Sequence, residues 1–77
     1  MSNRLSLARL TPNVWGRVAP HGDLSARLMA LGFLPHEQVR VVRRSHFKTG
    51  PLVVQIGNAV FALRADEAEQ VLVERAE

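Results

Sequence analysis

DLSARLMALGFLP, from Asp23 to Pro35, is the segment around which the rest of this chain is expected to fold. Within it, Leu24, Leu28 and Leu31 recur at helical spacing and predict a short helix with one apolar stripe. We expect Asp23 to be the N-cap, because its carboxylate can accept hydrogen bonds from the amides of the first turn. The apolar stripe requires another apolar surface to cover it.

The sequence also indicates where this helix ends. Gly32 readily adopts the left-handed conformation that terminates a helix, and Pro35 prevents the helix from restarting. Phe33 then falls at the position from which a Schellman motif packs a side chain back onto Leu28. Because the rest of the chain indicates short strands, the helix must lie against a small sheet or barrel.

Strands and tight turns account for most of the remaining sequence. A lead-in with Leu5, Leu7 and Leu10, closed by a proline turn, is expected to plug one end of a small barrel. Gly16 marks a bend or a close backbone approach in the first strand, and Gly57 opens a two-residue hairpin because it tolerates a positive φ. The predicted strands are 14–19, 37–44, 51–56, 59–63 and 71–74, with one helical turn at 64–69.

The second predicted strand alternates in polarity. Val39 and Val41 are expected to share one face of this strand. Arg40, Val42 and Arg44 are expected to share the opposite face, since side chains two residues apart lie on the same side of a strand.

Five short strands, with one helix between the first and the second, predict a mainly β fold for a single domain of residues 1–77. A closed or partly closed barrel is favoured, because closure removes exposed sheet edges. A flat sheet covered by the helix is the alternative.

Composition narrows the classes of function. The chain has no cysteine, which excludes disulfides, thiol catalysis and thiolate metal sites. It has no long apolar run and no secretory signal, so we expect a soluble cytoplasmic protein. No nucleophile with an adjacent base and no phosphate-cradling glycine loop is evident, which indicates that the protein is not an enzyme.

Charge is distributed unevenly along the chain. Residues 1–48 carry eight cations and two anions, a net +6, whereas residues 49–77 carry two cations and five anions, a net −3. This polarity favours an acidic partner for one surface, or head-to-tail contact between copies and hence a homo-oligomer.

A series of short motifs runs through nearly the whole chain. They are LxxLxP at 7–12, GxV at 16–18, RLxxLGFLP at 27–35, VxVV at 39–42, PLxV at 51–54, the Gly57 turn, ALR at 62–64 and AxxVxV at 68–73. In this order they resemble the ferrous iron transport protein A (FeoA) family. The resemblance implies an SH3-like β-barrel. It also implies an accessory role beside the membrane ferrous iron transporter FeoB, whose cytosolic end carries a GTP-binding domain, and so a place at the inner face of the membrane.

The sequence departs from the family pattern at two turns. The family usually has Pro-Gly after the lead-in and again after the helix, whereas this chain has Pro12-Asn13 and Pro35-His36. Asparagine tolerates the left-handed region more readily than histidine does. The first turn is therefore expected to keep its conformation, and the type of the second is left open.

Metal binding is a tempting reading for a family connected with iron. The candidate ligands are His21, His36 and His46, which could hold Fe²⁺ or Zn²⁺ weakly. Their spacing matches no compact metal-binding pattern, and a fixed site requires three or four converging ligands. We therefore interpret each as a surface histidine beside a turn, and we expect no resident cofactor.

The helix and its exit loop carry more apolar surface than a small barrel easily hides. We interpret this surface, with two nearby arginines, as the contact face for the transporter or for another copy. The predicted contact residues are Arg27, Leu28, Met29, Phe33, Leu34, Arg40 and Arg44.

A basic strip supports the main alternative. Arg40, Arg43, Arg44 and Lys48 run from the second strand into a loop where Phe47 offers an aromatic ring. Such a strip could dock an acidic partner region or anionic headgroups. It also leaves open a nucleic-acid-binding barrel or a metal-dependent regulatory module, although single-strand binders usually present more stacking aromatics.

Overall fold

The computed structural model describes residues 4–20, 24–47 and 50–75. Six strands, two α-helices and one 3-10 turn follow one another along them. They are β1 (Arg4–Ser6), the 3-10 turn (Leu7–Arg9), β2 (Gly16–Val18), α1 (Ala26–Ala30), β3 (Gln38–Arg44), β4 (Leu52–Ile56), β5 (Ala59–Leu63), α2 (Ala65–Gln70) and β6 (Leu72–Arg75). The mainly β prediction is confirmed. Its count of five strands and one helix is wrong, because the lead-in begins with a short strand and 65–70 forms a helix rather than a single turn.

The strands form one antiparallel sheet in the order β1-β6-β2-β3-β4-β5. β6 lies between β1 and β2, where Val73 is opposite both Leu5 and Val18. β1 and β5 are the two edges of the sheet. Side chains from both ends of this order belong to one buried cluster, so the sheet curls around a single core and forms a partly closed barrel.

The core is filled by apolar side chains from every strand, both helices and the 3-10 turn. Leu7 and Leu10 of the lead-in are fully buried there, and Leu5 packs against the cluster. Phe33 is the largest fully buried side chain, and its ring meets that of Phe61 edge-on, with centroids 5.7 Å apart.

Helix α1 is short and is capped at both ends. Ser25, not Asp23, is its N-cap: the Ser25 hydroxyl accepts a hydrogen bond from the Leu28 amide at 3.3 Å. The helix therefore begins later than predicted, and Asp23 lies outside the described residues. Serine is as good an N-cap as aspartate, and only its position brings the oxygen next to the third amide of the first turn.

The predicted C-terminal Schellman motif is confirmed. The Phe33 amide donates to the Leu28 carbonyl at 3.2 Å, and the Gly32 amide donates to the Met29 carbonyl at 3.0 Å. Gly32 has a φ of 110°, which few other residues adopt. Leu28 is buried, and Leu24 and Leu31 are partly buried against the same core, as the helical stripe predicts.

Two proline turns share one conformation. The fourth amide donates to the first carbonyl at 3.2 Å in the turn 11–14 and at 3.1 Å in the turn 34–37. Their third residues, Asn13 and His36, have φ of 66° and 72°. Trans-proline at the second position and a positive φ at the third define a type II turn. Both turns thus keep the backbone that Pro-Gly favours, although neither contains glycine.

Strand β3 contains a β-bulge that changes the face of its last residues. Val41 is opposite Val54, but Arg43 is opposite Val53, so Val42 is the extra residue. Arg44 is consequently opposite Leu52, which is buried in the core. The prediction that Arg40, Val42 and Arg44 share one face is therefore wrong for Arg44, which turns towards the inner side.

The hairpin and the close approach at Gly16 are confirmed. The β4–β5 loop is the two-residue Gly57-Asn58 turn, with a φ of 57° at Gly57. A Cβ at Gly16 would lie 3.0 Å from the Glu74 carbonyl oxygen of the neighbouring β6, which is tighter than ordinary contacts. Within residues 4–20, 24–47 and 50–75, no helix has the length and apolar content needed to cross a bilayer.

Candidate functional site

Two apolar side chains at the C-terminal end of α1 are exposed to solvent. Met29 and Leu34 each keep 48% of their surface accessible. Met29 lies on the last turn of the helix, and Leu34 lies in the loop that leaves it. Isolated surface apolar residues are common, so the question is whether the structure holds these two in place.

The backbone around Leu34 is tightly constrained. The Leu34 amide donates to the Gly32 carbonyl at 2.7 Å, and the Leu34 carbonyl accepts from the Glu37 amide at 3.1 Å. Phe33, the preceding residue, is fully buried. Leu34 is therefore fixed between a buried anchor and a proline turn and projects into solvent at little further entropy cost on binding.

A shallow groove of about 510 Å³ lies beside this leucine. It runs from the end of α1 to the β4–β5 hairpin, and we call it the α1–hairpin groove. Its lining residues are Leu31, Gly32, Leu34, Glu37, Ile56, Asn58 and Ala59. Most of these are apolar, and the single carboxylate belongs to Glu37.

Two of the predicted contact residues lie beneath this surface. Leu28 and Phe33 have no accessible surface, so they position the exposed pair and cannot contact a partner in the folded protein. The apolar part of the predicted face is therefore reduced to Met29 and Leu34.

Arg27 is engaged within the chain. Its Nε donates to the Glu67 carboxylate of α2 at 2.6 Å, which links the two helices. The Arg64 amide donates to the other oxygen of the same carboxylate at 3.2 Å. These two hydrogen bonds, led by that from Arg27, lower the pKa of Glu67, and the Glu67 carboxylate raises the pKa of Arg27.

Arg40 and Arg44 do not form the predicted strip. Arg40 lies over the Trp15 ring, with 5.0 Å from its guanidinium carbon to the ring centroid, and it donates to the Gln55 side chain at 2.9 Å. Arg44, turned inwards by the bulge, donates to the carbonyls of Ala8 and Leu10. Arg44 is thus a structural brace for the end of the 3-10 turn, a function that the sequence pattern did not indicate.

The histidines do not converge within the described residues. His36 precedes β3 and His46 follows it, so the length of the strand separates them by roughly 20 Å. His21 lies outside the described residues. In 4–20, 24–47 and 50–75 there is no group of three histidine, cysteine or acidic side chains that could hold a metal ion. The prediction of weak Fe²⁺ or Zn²⁺ binding stays a prediction.

The loop between β3 and β4 carries the most exposed aromatic side chain. Phe47 keeps 77% of its surface accessible, at the end of β3 remote from Leu34. A second cavity of about 500 Å³ opens beside it, with Arg9, His46 and Glu69 in its lining. Since Arg40 already lies over the Trp15 ring, Phe47 is the exposed phenyl ring of the predicted strip region that could stack on a base. Lys48 lies outside the described residues.

Comparison with known protein families gives one clear assignment. The model of the FeoA domain matches residues 6–75, which includes every strand from the end of β1 onwards. The chain belongs to the FeoA family. No match is found among curated protein sequences.

Solved structures of FeoA proteins share this fold. The FeoA of Stenotrophomonas maltophilia, complexed with zinc, is 37% identical over 91% of this chain and 89% of that chain, with a TM-score of 0.76. It is described as a prokaryotic SH3 domain protein possibly acting as a bacterial ferrous iron transport activating factor. The iron(II) transport protein A of Clostridium thermocellum is 31% identical over 92% of this chain and 45% of that chain, with a TM-score of 0.80. The expected SH3-like fold is confirmed.

A more distant likeness concerns the fold alone. A manganese-dependent transcriptional repressor matches with a TM-score of 0.80 at 21% identity, over 99% of this chain and 44% of that chain. The SH3-like fold therefore also occurs as part of a larger regulator. At this identity the likeness carries no information about what the FeoA-family chain binds.

Proposed function

We propose that this protein is a non-enzymatic accessory factor of bacterial ferrous iron uptake, which binds the cytosolic part of a FeoB-type transporter and modulates it from the cytoplasm. Membership of the FeoA family supports the link to iron uptake. The observation that carries the binding proposal is Leu34, an apolar side chain half exposed on a backbone that is fixed on both sides.

The proposed contact face is centred on Met29 and Leu34 and continues into the α1–hairpin groove. Apolar side chains on rigid backbone are suited to binding, because little conformational entropy is lost when a partner covers them. Arg27 and Arg40 each make contacts within the chain, with Glu67 and with Trp15 and Gln55. Arg27 is already paired with Glu67, so its contribution to affinity is small beside that of the apolar pair.

Binding of this protein modulates the transporter if the contact is tighter in one conformational state of the transporter than in another. A binding partner shifts a conformational equilibrium only to the extent that it binds one state more tightly than the other. A small rigid domain with one apolar contact face can act in this way without any chemistry of its own.

The proposal is tested by replacing Met29 and Leu34 with glutamate. The double variant M29E/L34E places two carboxylates where the partner must be desolvated, and we expect it to abolish co-purification with the transporter. Its thermal midpoint should stay close to that of the wild type, because both side chains are exposed.

The control is F47E, which replaces an even more exposed apolar side chain with a single glutamate at the other end of β3. This variant should co-purify like the wild type. Retained binding of M29E/L34E, or equal loss of binding in F47E, would contradict the proposed face.

A further inference from the structure

Strand β5 is an edge strand without the usual protection. It reads AVFAL, with no charged residue and no proline, and its pairing with β4 is continuous, with no bulge. Natural sheets normally carry charged residues, proline or bulges at their edge strands, because an unprotected edge can pair with a strand of another chain. The opposite edge, β1, is only three residues long and carries the Arg4–Glu74 ion pair at 3.3 Å.

The hairpin fixes which backbone groups of β5 face outwards. In a two-residue hairpin the flanking residues, Ile56 and Ala59, form a hydrogen-bonded pair, and the pattern then alternates along the ladder. Phe61 and Leu63 therefore bond to β4, whereas the amides and carbonyls of Val60 and Ala62 point away from it. Among the described residues, no group bonds to the backbone of either.

The side chains of the edge are also unpartnered. Val60 keeps 58% of its surface accessible, and Ala62, on the same outer face, is exposed as well. An exposed β-branched residue in the middle of an uncharged edge favours strand pairing over solvation.

We propose that β5 is a self-association edge, at which two copies of this chain pair their β5 strands antiparallel about a two-fold axis at Phe61. In this register Val60 of each copy is opposite Ala62 of the other. Both outward amides and both outward carbonyls of each strand are then used, which gives four hydrogen bonds. A register shifted by two residues satisfies only part of them, so the two-fold arrangement is favoured.

The edge suits a second copy because it complements itself. An antiparallel two-fold pairing places Arg64 of one copy opposite Asn58 of the other, so no like charges meet at the ends of the ladder. Asn58 and Glu37 line the same groove, and among the described residues Glu37 makes no ion pair within the chain. The groove that contains the residue facing Arg64 of the other copy therefore carries an acidic side chain and no basic one.

The resulting dimer is weak. One pair of five-residue strands buries less than the roughly 1,000 Å² typical of a stable interface. We expect a dissociation constant on the order of 100 µM.

The test is sedimentation velocity of the whole chain across a concentration series that brackets this value. The variant V60K places two lysines near each other across the symmetric ladder, and we expect it to weaken dimerisation roughly tenfold or more. The matched control V60T keeps the β-branched shape and adds no charge, so it should dimerise nearly as well as the wild type. The thermal midpoints of both variants show whether the fold is retained.

Amide hydrogen exchange locates the interface without a substitution. On concentration, exchange of the Val60 and Ala62 amides should slow, while the other amides of the β4–β5 hairpin keep their rates. A wild type that stays monomeric throughout the series overturns the proposal. Equal dimerisation of V60K, or unchanged exchange at Val60 and Ala62 in a dimer, does so too, because another surface would then be responsible.

Discussion

The two proline turns have the same backbone but are supported in different ways. In both, the third residue donates its amide to a strand carbonyl at 2.8 Å: Asn13 to Val41, and His36 to Val18. The turn 11–14 follows the segment whose carbonyls accept from the Arg44 side chain. The turn 34–37 follows a helix whose C-terminal end is capped by backbone hydrogen bonds alone.

The first positions of the two turns also differ, and this difference bears on function. Thr11 begins the first turn, and Leu34 begins the second with an exposed apolar side chain. The same type II turn therefore appears twice, once with an exposed threonine at its first position and once with the exposed leucine of the proposed contact face. In both turns, proline at the second position and the hydrogen bond from the third residue's amide to a strand carbonyl support the type II conformation. The third residue can therefore be other than glycine.

Removing the hydrogen bonds from Arg44 to the segment before the first turn should reduce the stability of the protein most. R44M keeps much of the apolar length of the side chain but leaves the Ala8 and Leu10 carbonyls without their charged donor, so we expect a loss of about 2–3 kcal/mol in the free energy of unfolding. Urea denaturation measures it. The control R43M changes an exposed arginine of the same strand and should cost little. Equal effects of the two variants would show that Arg44 is no brace.

A β-branched residue in place of Asn13 or His36, which both have a positive φ, should give the second largest loss of stability. N13V and H36V each force valine to a φ near 70°, and we expect each to destabilise the protein by about 1–2 kcal/mol. N13V should cost more than H36V, because asparagine tolerates the left-handed region better than histidine does. The reverse order, measured by the same unfolding experiment, would mean that the first turn changes type more easily than the second.

Glycine at the same positions should act in the opposite direction. H36G relieves the strain of a histidine at a φ of 72°, partly offset by the greater freedom of the unfolded chain, so we expect a gain of roughly 0.5 kcal/mol. N13G should change stability by less, because asparagine is less strained there. A destabilised H36G would indicate that the histidine side chain makes a favourable contact of its own.

The smallest expected change in stability comes from the Arg27–Glu67 ion pair, which links α1 and α2. Since the hydrogen bond from Arg27 lowers the pKa of Glu67, this carboxylate contributes stability above its ordinary pKa, and the contribution is lost as the pH falls through the lowered pKa of the folded state. E67Q should therefore be slightly less stable than the wild type at neutral pH, and the difference should disappear in acid. Thermal melts across the acidic range measure it.

The control for this prediction is E69Q, the same change on the same helix at an exposed glutamate. It should not reproduce the pH-dependent difference. A constant deficit of E67Q at every pH would indicate lost packing instead of a lost ion pair.

Local patterns were sufficient to predict much of this fold. The apolar stripe of α1, its end at Gly32, the packing of Phe33 and the Gly57 hairpin all depend on residues within a few positions of each other. These features were confirmed. The exposure of Met29 and Leu34 agrees with the predicted face as well, although its binding partner remains a proposal.

The features that the sequence analysis did not predict depend on contacts between residues far apart in the chain. Strand β1 is three residues long and exists because Leu5 meets Val73 across the sheet, a pairing that no local pattern encodes. The bulge at Val42 is one extra residue in a regular alternation, so it is invisible until the register with β4 is known. The inward turn of Arg44 follows from that bulge.

The position of β6 has a consequence for biosynthesis. β1 and β2 both pair with β6 and not with each other, so β1 has no hydrogen-bonding partner in the sheet until residues 72–75 emerge from the ribosome. The β2–β5 segment can form earlier, but its inner surface stays uncovered by β6 until that strand has been synthesised. Completion of this sheet therefore waits for residues 72–75, and the apolar inner surface of the earlier strands must be kept from aggregation until they arrive.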